Sequence, residues 1–500
     1  MKKMKKLLSL VLTVAMVVAM GITTFAAEPT TYTITAPATN HQYEIYQIFT
    51  GDLSGKTLSN VKWGVNGTGK TGDAVDEATL NALTGVNVAG KSDKDKLAVI
   101  EGYAKLSDPV ATISNGTTYT AAAGYYLIKD KDASLTGKDD SYTTYIVEVV
   151  GNLTISPKSD KPSSEKKVKD TNDTDGTTSD WQDSADYDIG DAVPFQLKGT
   201  VASNYDSYTV YKFAFHDKES EGLTFNKDSV KVYVDGKQIT TGYTVKTPET
   251  HSNEFNTTTH QDTFDVTFDN LKDIQSVHAG SVITVEYTSE LNKKAVLGST
   301  GNINTMHLEY SNNPNDEQGG ETGTTPDDTV IVFTYKVVVN KYANSVAEGN
   351  KLTGAEFTLA KKLKDGKTKN IAVVKSEDGT SFTFNGLDDG DYILTESKTP
   401  AGYNTISPIE FTVTADHKIE WGKGEARTDI LTGLTGDVTS GEVTFTPSVD
   451  EGKLSTDVIN KSGSLLPSTG GIGTTIFYVI GGILMVGAGV ILVSRRRRSK

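Results

Sequence analysis

Short runs in which apolar and polar residues alternate decide most of what this chain can become. Tyr32-Thr33-Ile34-Thr35, Thr143-Thr144-Tyr145-Ile146-Val147-Glu148-Val149, Ser281-Val282-Ile283-Thr284-Val285-Glu286-Tyr287 and Tyr335-Lys336-Val337-Val338-Val339 read with a period of two. Such a run buries one face of a pleated sheet, which branched and aromatic side chains suit. Helical spacing is weak and predicts only short excursions at Glu77–Leu83 and Lys94–Leu106. Five hundred residues exceed one ordinary domain and suggest about three. Only 36% of positions are hydrophobic, so each core is thin, which favours tandem β-sandwiches joined by Gly-rich turns.

Composition shifts mark the expected boundaries. Ser156-Pro157-Lys158-Ser159-Asp160-Lys161-Pro162-Ser163-Ser164 has no apolar residue and carries two prolines, as linkers do. A second break, Asn312 to Asp328, is rich in Gly, Asp, Thr and Pro. The modules are expected near 27–156, 163–313 and 329–462, with linkers at 157–162 and 314–328. Cysteine is absent, so disulfides and thiolate chemistry are excluded and any covalent staple must use other groups. A formal charge of −15 argues against nucleic acid as a partner.

Both ends read as addresses. Lys2, Lys3, Lys5 and Lys6 precede an apolar run from Leu7 to Ile22, and small residues before Ala27 predict signal cleavage between Ala26 and Ala27. At the other end Leu466-Pro467-Ser468-Thr469-Gly470 precedes an apolar stretch from Ile472 to Val493, long enough to cross a bilayer as a helix, and then Arg495 to Arg498. That order resembles the cell-wall sorting signal of Gram-positive surface proteins. The resemblance implies that a sortase cuts between Thr469 and Gly470 and passes the Thr469 carbonyl to an amine. Trimming at both sites removes nine of 49 basic residues and none of 64 acidic ones, taking the charge to −24.

The third module holds Val337-Val338-Val339-Asn340-Lys341, Leu352-Thr353-Gly354-Ala355-Glu356-Phe357, Tyr392-Ile393-Leu394-Thr395-Glu396-Ser397-Lys398-Thr399-Pro400-Ala401-Gly402-Tyr403 and Val458-Ile459-Asn460. These resemble the collagen-adhesin B-type fold of Gram-positive pilins, including its Y-x-L-x-E-x-x-x-P-x-G-Y box. The resemblance implies a spontaneous isopeptide bond with Lys341 as amine, Asn460 as carboxamide and Glu396 as catalyst. The chemistry is sound, because burial disfavours the charged ammonium and leaves a nucleophilic amine, while a buried Glu is pushed toward its protonated form and can relay protons.

The middle module opens with Pro162-Ser163-Ser164-Glu165-Lys166-Lys167-Val168, where alternation puts Ser164, Lys166 and Val168 on one face. With Tyr211-Lys212-Phe213-Ala214-Phe215-His216-Asp217 and the strand Gly301 to Asn312, it is similar to the second domain of major fimbrial subunits, related to the collagen-adhesin A type. That similarity implies Lys166 bonded to Asn304 with Asp217 assisting. Asn302 and Asn312 share the parity of Asn304, and Glu286 is a reserve catalyst. The first module echoes the box only as Gly124-Tyr125-Tyr126-Leu127-Ile128-Lys129-Asp130, and its first strand from Tyr32 to Phe49 has no Lys, so no cross-link is expected there.

Lys158, in Ile155-Ser156-Pro157-Lys158, resembles the pilin-motif lysine that accepts the Thr of a neighbouring subunit, although Ser156 stands where Tyr is usual; Lys161 competes for the role. If Thr469 joins Lys158, tension enters at the end of module three and leaves at the start of module two. Those are the two modules with complete Lys–carboxylate–Asn sets.

Gly64-Val65-Asn66-Gly67-Thr68-Gly69-Lys70-Thr71 fits a phosphate-binding loop, but Gly72 and Asp73 interrupt the helix start it needs, so a polar loop is expected. Seven scattered His lack metal-ligand spacing, and no hydrolase motif stands in the chain. The sequence reads as the backbone subunit of a covalent cell-surface pilus on a Gram-positive cell: all-β, without cofactor or metal, and with only single-turnover self-crosslinking. The expected partners are identical subunits, a pilin sortase, a housekeeping sortase and minor or tip pilins. The alternative is a monomeric wall-anchored adhesin that grips a host matrix protein or glycan.

Overall fold

The structure, a computed structural model, describes residues 31–54, 57–84, 99–143, 146–149, 151–156, 160–255, 261–422 and 430–463. The described residues divide into two compact units, one drawn from 31–171, 177–334 and 417–432, the other from 172–176, 335–416 and 433–463. Strands dominate both.

In the first unit, the N-terminal module pairs a three-stranded sheet with a five-stranded one. The long strand β1 (Gln42–Ser54) lies antiparallel to β2 (Gly124–Asp130), and Phe49, Trp63 and Tyr125 pack between them and their neighbours. The helix expected near residue 77 forms as α1 (Glu77–Thr84), started by Asp76, whose carboxylate accepts from the Thr79 amide at 2.8 Å. Part of the second expected helix, 94–106, falls outside the described residues.

The middle module is a sandwich of two sheets. Its strands are β3 (Ser163–Val168), β4 (Ser184–Asp186), β5 (Ala192–Thr200), β6 (Phe213–Glu219), β7 (Val282–Leu291), β8 (Asn302–Ser311) and β9 (Asp328–Phe333). β3, β5 and β7 lie side by side in one sheet; β4, β9, β8 and β6 lie side by side in the facing one. Alternation on β3 buries Ser164, Lys166 and Val168, which settles Lys166 rather than Lys167 as the inward lysine.

One boundary expectation is corrected here. Residues 314–328 were expected to be a linker and 329 the start of the third module. Instead Thr322–Thr324 pairs with β8, and β9 continues the middle sheet with Asn302 opposite Val332 and Met306 opposite Asp328. The run Val330-Ile331-Val332-Phe333 is apolar at every position and buried at every position, as suits a strand between two neighbours rather than an exposed first strand.

In the second unit, the sandwich begins at Tyr335. Its strands include β10 (Tyr335–Ala343), β11 (Gly390–Lys398), β12 (Ile409–His417, of which 409–416 belong to this unit) and β13 (Lys453–Asn460). The first and last strands, β10 and β13, are parallel neighbours, with Lys341 opposite Val458 and Ala343 opposite Asn460. β11 belongs to the facing sheet.

Candidate functional site

Two buried lysines define the site chemistry. On β10, alternation turns Val337, Val339 and Lys341 inward, and Lys341 is fully buried, as is Asn460 at the end of β13. The Lys341 amine contacts the Asn460 carboxamide oxygen and donates to the Val458 carbonyl at 3.2 Å. Glu396 reaches them from the facing sheet, because Tyr392, Leu394 and Glu396 share the inward face of β11. One of its oxygens lies 3.7 Å from the amine, and the other accepts from Asn460 Nδ2 at 3.0 Å. Burial pushes the Lys341 amine down to about 8, against the upward pull of Glu396.

The rest of the box has a geometric purpose. Gly402 takes a φ of +89°, which disfavours other residues, and the turn brings the chain back over the site. The Ile406 amide then donates to Glu396 at 3.3 Å, and the Asn404 carbonyl accepts from Asn460 Nδ2 at 2.9 Å. The turn therefore orients both the carboxyl and the carboxamide.

In the middle module, Lys166 on β3 is fully buried beneath Phe195 and Tyr287, with its amine 5.4 and 5.5 Å from the two ring centres. It donates to Asp217 Oδ2 at 2.5 Å and to the Tyr287 hydroxyl at 3.0 Å. Asn304, on the facing sheet, donates to the same hydroxyl at 2.9 Å, and its own carbonyl oxygen has no hydrogen-bond partner among the described residues. The three expected residues thus converge on Tyr287, which the sequence reading did not single out. Burial lowers the Lys166 amine and raises the Asp217 carboxyl, the latter against the pull of Lys166.

A second carboxyl was also missed. Glu219 lies directly opposite Asn304 across β6 and β8 and accepts from Asn304 Nδ2 at 3.4 Å. Burial, reinforced by the charge of Asp217, pushes it up to about 8. Its position two residues after Asp217 was the available signal, since strand alternation gives both the same face.

The other candidates are elsewhere. Asn302 is tied to the backbone of Val296 and Val332, and Asn312 to the carbonyls of Leu135 and Asp140. Glu286 sits on the opposite face of β7 from Tyr287 and accepts from Gln196 at 2.8 Å, which removes it as a reserve catalyst. Lys161 pairs with Asp139 at 2.5 Å. Lys158, the Ala26–Ala27 cleavage site, and Leu466, Pro467, Ser468, Thr469 and Gly470 lie outside the described residues. So does the apolar span after them; among the described residues no helix is long and apolar enough to cross a membrane.

The first module holds a different buried polar cluster. Lys129 lies 3.2 Å from Glu44 and also contacts Asp132. His41 bonds Asp130 at 2.8 Å and approaches Asp140 at 3.3 Å. Burial works against its imidazolium, but the two Asp outweigh burial and hold His41 up at about 9. In the loop that mimics a phosphate-binding motif, a Cβ at Gly69 would fall 2.3 Å from the Trp63 ring, so close packing accounts for that glycine.

Comparison with known proteins agrees with this architecture. Residues 335–425 match the SpaA prealbumin-like fold domain, and residues 459–500 match the LPXTG cell wall anchor motif. The trypsin-resistant surface T6 protein of Streptococcus pyogenes serotype M6 is 28% identical over 77% of each chain. The structure of the T6 backbone pilin from that serotype, which has three domains, matches with a TM-score of 0.52 at 21% identity, covering 88% of this chain and all of that one. The full-length major pilin SpaD of Corynebacterium diphtheriae matches at 19% identity and a TM-score of 0.48, covering 87% of this chain and 97% of that one. The chain is therefore an all-β protein of the Gram-positive cell surface, with a SpaA-type prealbumin-like domain and a cell-wall anchor on the fold of a backbone pilin.

Proposed function

We propose that this protein is the structural backbone subunit of a sortase-assembled pilus, polymerised through Thr469 of one chain and Lys158 of the next. Internal amides from Lys341 to Asn460 and from Lys166 to Asn304 staple it. The observation that carries the reading is the burial of Lys341 against Asn460 with Glu396 touching both.

In the third module the neutral Lys341 amine attacks the Asn460 carboxamide carbon. Glu396 takes a proton from the amine side and delivers one to Nδ2, the bond from the carbon to Nδ2 breaks, and ammonia leaves. The strands hold the reactants in place, so a reaction that is slow between free side chains becomes effectively unimolecular. In the middle module the same work is divided. Asp217 faces the amine, Glu219 faces the leaving nitrogen, and the Tyr287 hydroxyl joins amine, carboxyl and carboxamide.

Each bond closes a loop, 166–304 or 341–460, and a loop of ~100 residues contributes roughly 5 kcal/mol through the unfolded state. In both modules the amine lies on the first strand and the carboxamide late in the module, so the amide carries tension past the strands between them. Partners on this reading are identical subunits, a pilin sortase, a housekeeping sortase and minor or tip pilins. Lys158→Ala tests the polymer: the variant should be lost from high-mass, SDS-resistant ladders when the sortase is present. A persistent ladder removes the assignment in favour of another lysine such as Lys161, and monomer alone in the wild type favours an anchored adhesin.

A further inference from the structure

The bonding sites leave unused a histidine in the first unit. The His417 side chain is 7% exposed, and its imidazole packs against Phe333, the ring centres 5.8 Å apart. Its Nδ1 lies 2.6 Å from Ser184 Oγ, and that hydroxyl donates to the Lys418 carbonyl, also at 2.6 Å. Because the serine proton is committed to Lys418, Ser184 can only accept from the ring, so Nδ1 carries a hydrogen.

The other nitrogen faces carboxylates. Nε2 lies 3.6 Å from Asp170 Oδ2 and 3.9 Å from Asp186 Oδ1, both too long for hydrogen bonds. Two carboxylates thus converge on Nε2, and the place its proton takes in the imidazolium is one that a metal cation can take instead. The three ligand atoms all fall within 4.8 Å of one another. Donors held about 2.1 Å from one ion stand roughly 3.4 Å apart at a tetrahedral angle, close to the shorter of these separations.

We propose that Asp170, Asp186 and His417 form a divalent transition-metal site whose preferred ion is Zn²⁺. One imidazole nitrogen and two carboxylate oxygens are a zinc donor set, whereas Ca²⁺ and Mg²⁺ favour oxygen alone. The surroundings support the ligands. Ser184 orients the ring from behind, as outer partners of metal-bound His do. The Asp170 backbone is pinned by Ser179, whose hydroxyl accepts from the Asp170 amide at 2.9 Å and whose amide donates to the Asp170 carbonyl at 2.8 Å. Asp186 is held in β4 opposite Phe333 of β9. A bound ion would clip the chain just after β3, the strand of Lys166, to β4 and to the segment of the same unit that begins at His417. No sequence spacing announces the site, because its ligands come from three separate segments.

The test is calorimetric titration of the EDTA-treated, dialysed protein with ZnCl₂, repeated with CaCl₂, in wild type, His417→Ala and Asp170→Asn. The expected result is one Zn²⁺ per chain, at least about tenfold weaker in each variant, and at least about tenfold tighter than Ca²⁺. Asp170 is 20% exposed and its replacement is nearly isosteric, so Asp170→Asn separates loss of a ligand from loss of the fold. Failure of wild type to saturate at one Zn²⁺ per chain below about 1 mM overturns the proposal. So does unchanged zinc binding in both variants, which would put the ion elsewhere, and so does a preference for Ca²⁺.

Discussion

The middle and third modules bring the same residue types together by different routes. In the third, amine and carboxamide sit on adjacent parallel strands of one sheet and touch directly, while one carboxyl from the facing sheet serves both. In the middle, amine and carboxamide come from facing sheets, a tyrosine hydroxyl stands between them, and two carboxyls divide the contacts. The difference teaches that two strand orders can each bring a desolvated amine, a carboxamide and a proton carrier within reach of one another. On the proposed reaction, one carboxyl serves the pair that touches, and two carboxyls with a tyrosine serve the pair that is bridged.

The sharpest way to break that comparison is to remove the amines. Lys341→Ala and Lys166→Ala should each abolish one mass loss of about 17 Da and lower the unfolding midpoint of the affected module. The shift should be on the order of 10–20 °C, from a lost contribution of roughly 5 kcal/mol. Calorimetry and intact mass read both, and an unchanged midpoint would show that the residue closes no bond.

The division of labour comes next. Glu396→Gln should stop the third-module bond altogether, since no second carboxyl touches that pair among the described residues. In the middle module Asp217→Asn should stop the bond, whereas Glu219→Gln should slow it on the order of 10²-fold, as loss of one proton carrier does. Mass taken at intervals after refolding distinguishes them; equal effects of Gln at 219 and 396 would mean the two sites work alike.

Two smaller effects concern protonation. In Asn460→Ala the Lys341 amine stays free, with a folded pKa near 8 below its unfolded value of about 10.5. The unfolded state then binds more protons between those values, so the variant should gain stability as pH rises from 8 to 10. His41 has the opposite sign. Its raised value, about 9, supplies stability that is complete below pH 6.5 and lost as pH climbs through 9. The gap in thermal midpoint between wild type and His41→Gln should close over that range, and a constant gap would mean the imidazolium contributes nothing.

Legibility in the sequence followed how local the information was. Lys341 and Glu396 were readable because a contiguous box and strand alternation point them inward, and Lys166 was separated from Lys167 by alternation alone. Asn304 could not be separated from Asn302 and Asn312 by parity; Asn302 is held by the Val332 carbonyl and Asn312 by the Leu135 carbonyl of a loop, groups distant in sequence. β9 was misplaced because an all-apolar strand gives no alternation to assign it to a module. Tyr287 and Glu219 belong to no contiguous motif; only the facing of β6, β7 and β8 in space brings them to Lys166 and Asn304, although strand alternation puts Glu219 on the face of Asp217 and turns Tyr287 inward.

The most direct test of the central claim is the intact mass of residues 27–469, with fragmentation to locate any bond. Two amides formed by loss of ammonia require a deficit of about 34 Da, carried by Lys341–Asn460 and Lys166–Asn304. A mass equal to that of the unmodified sequence would contradict the account.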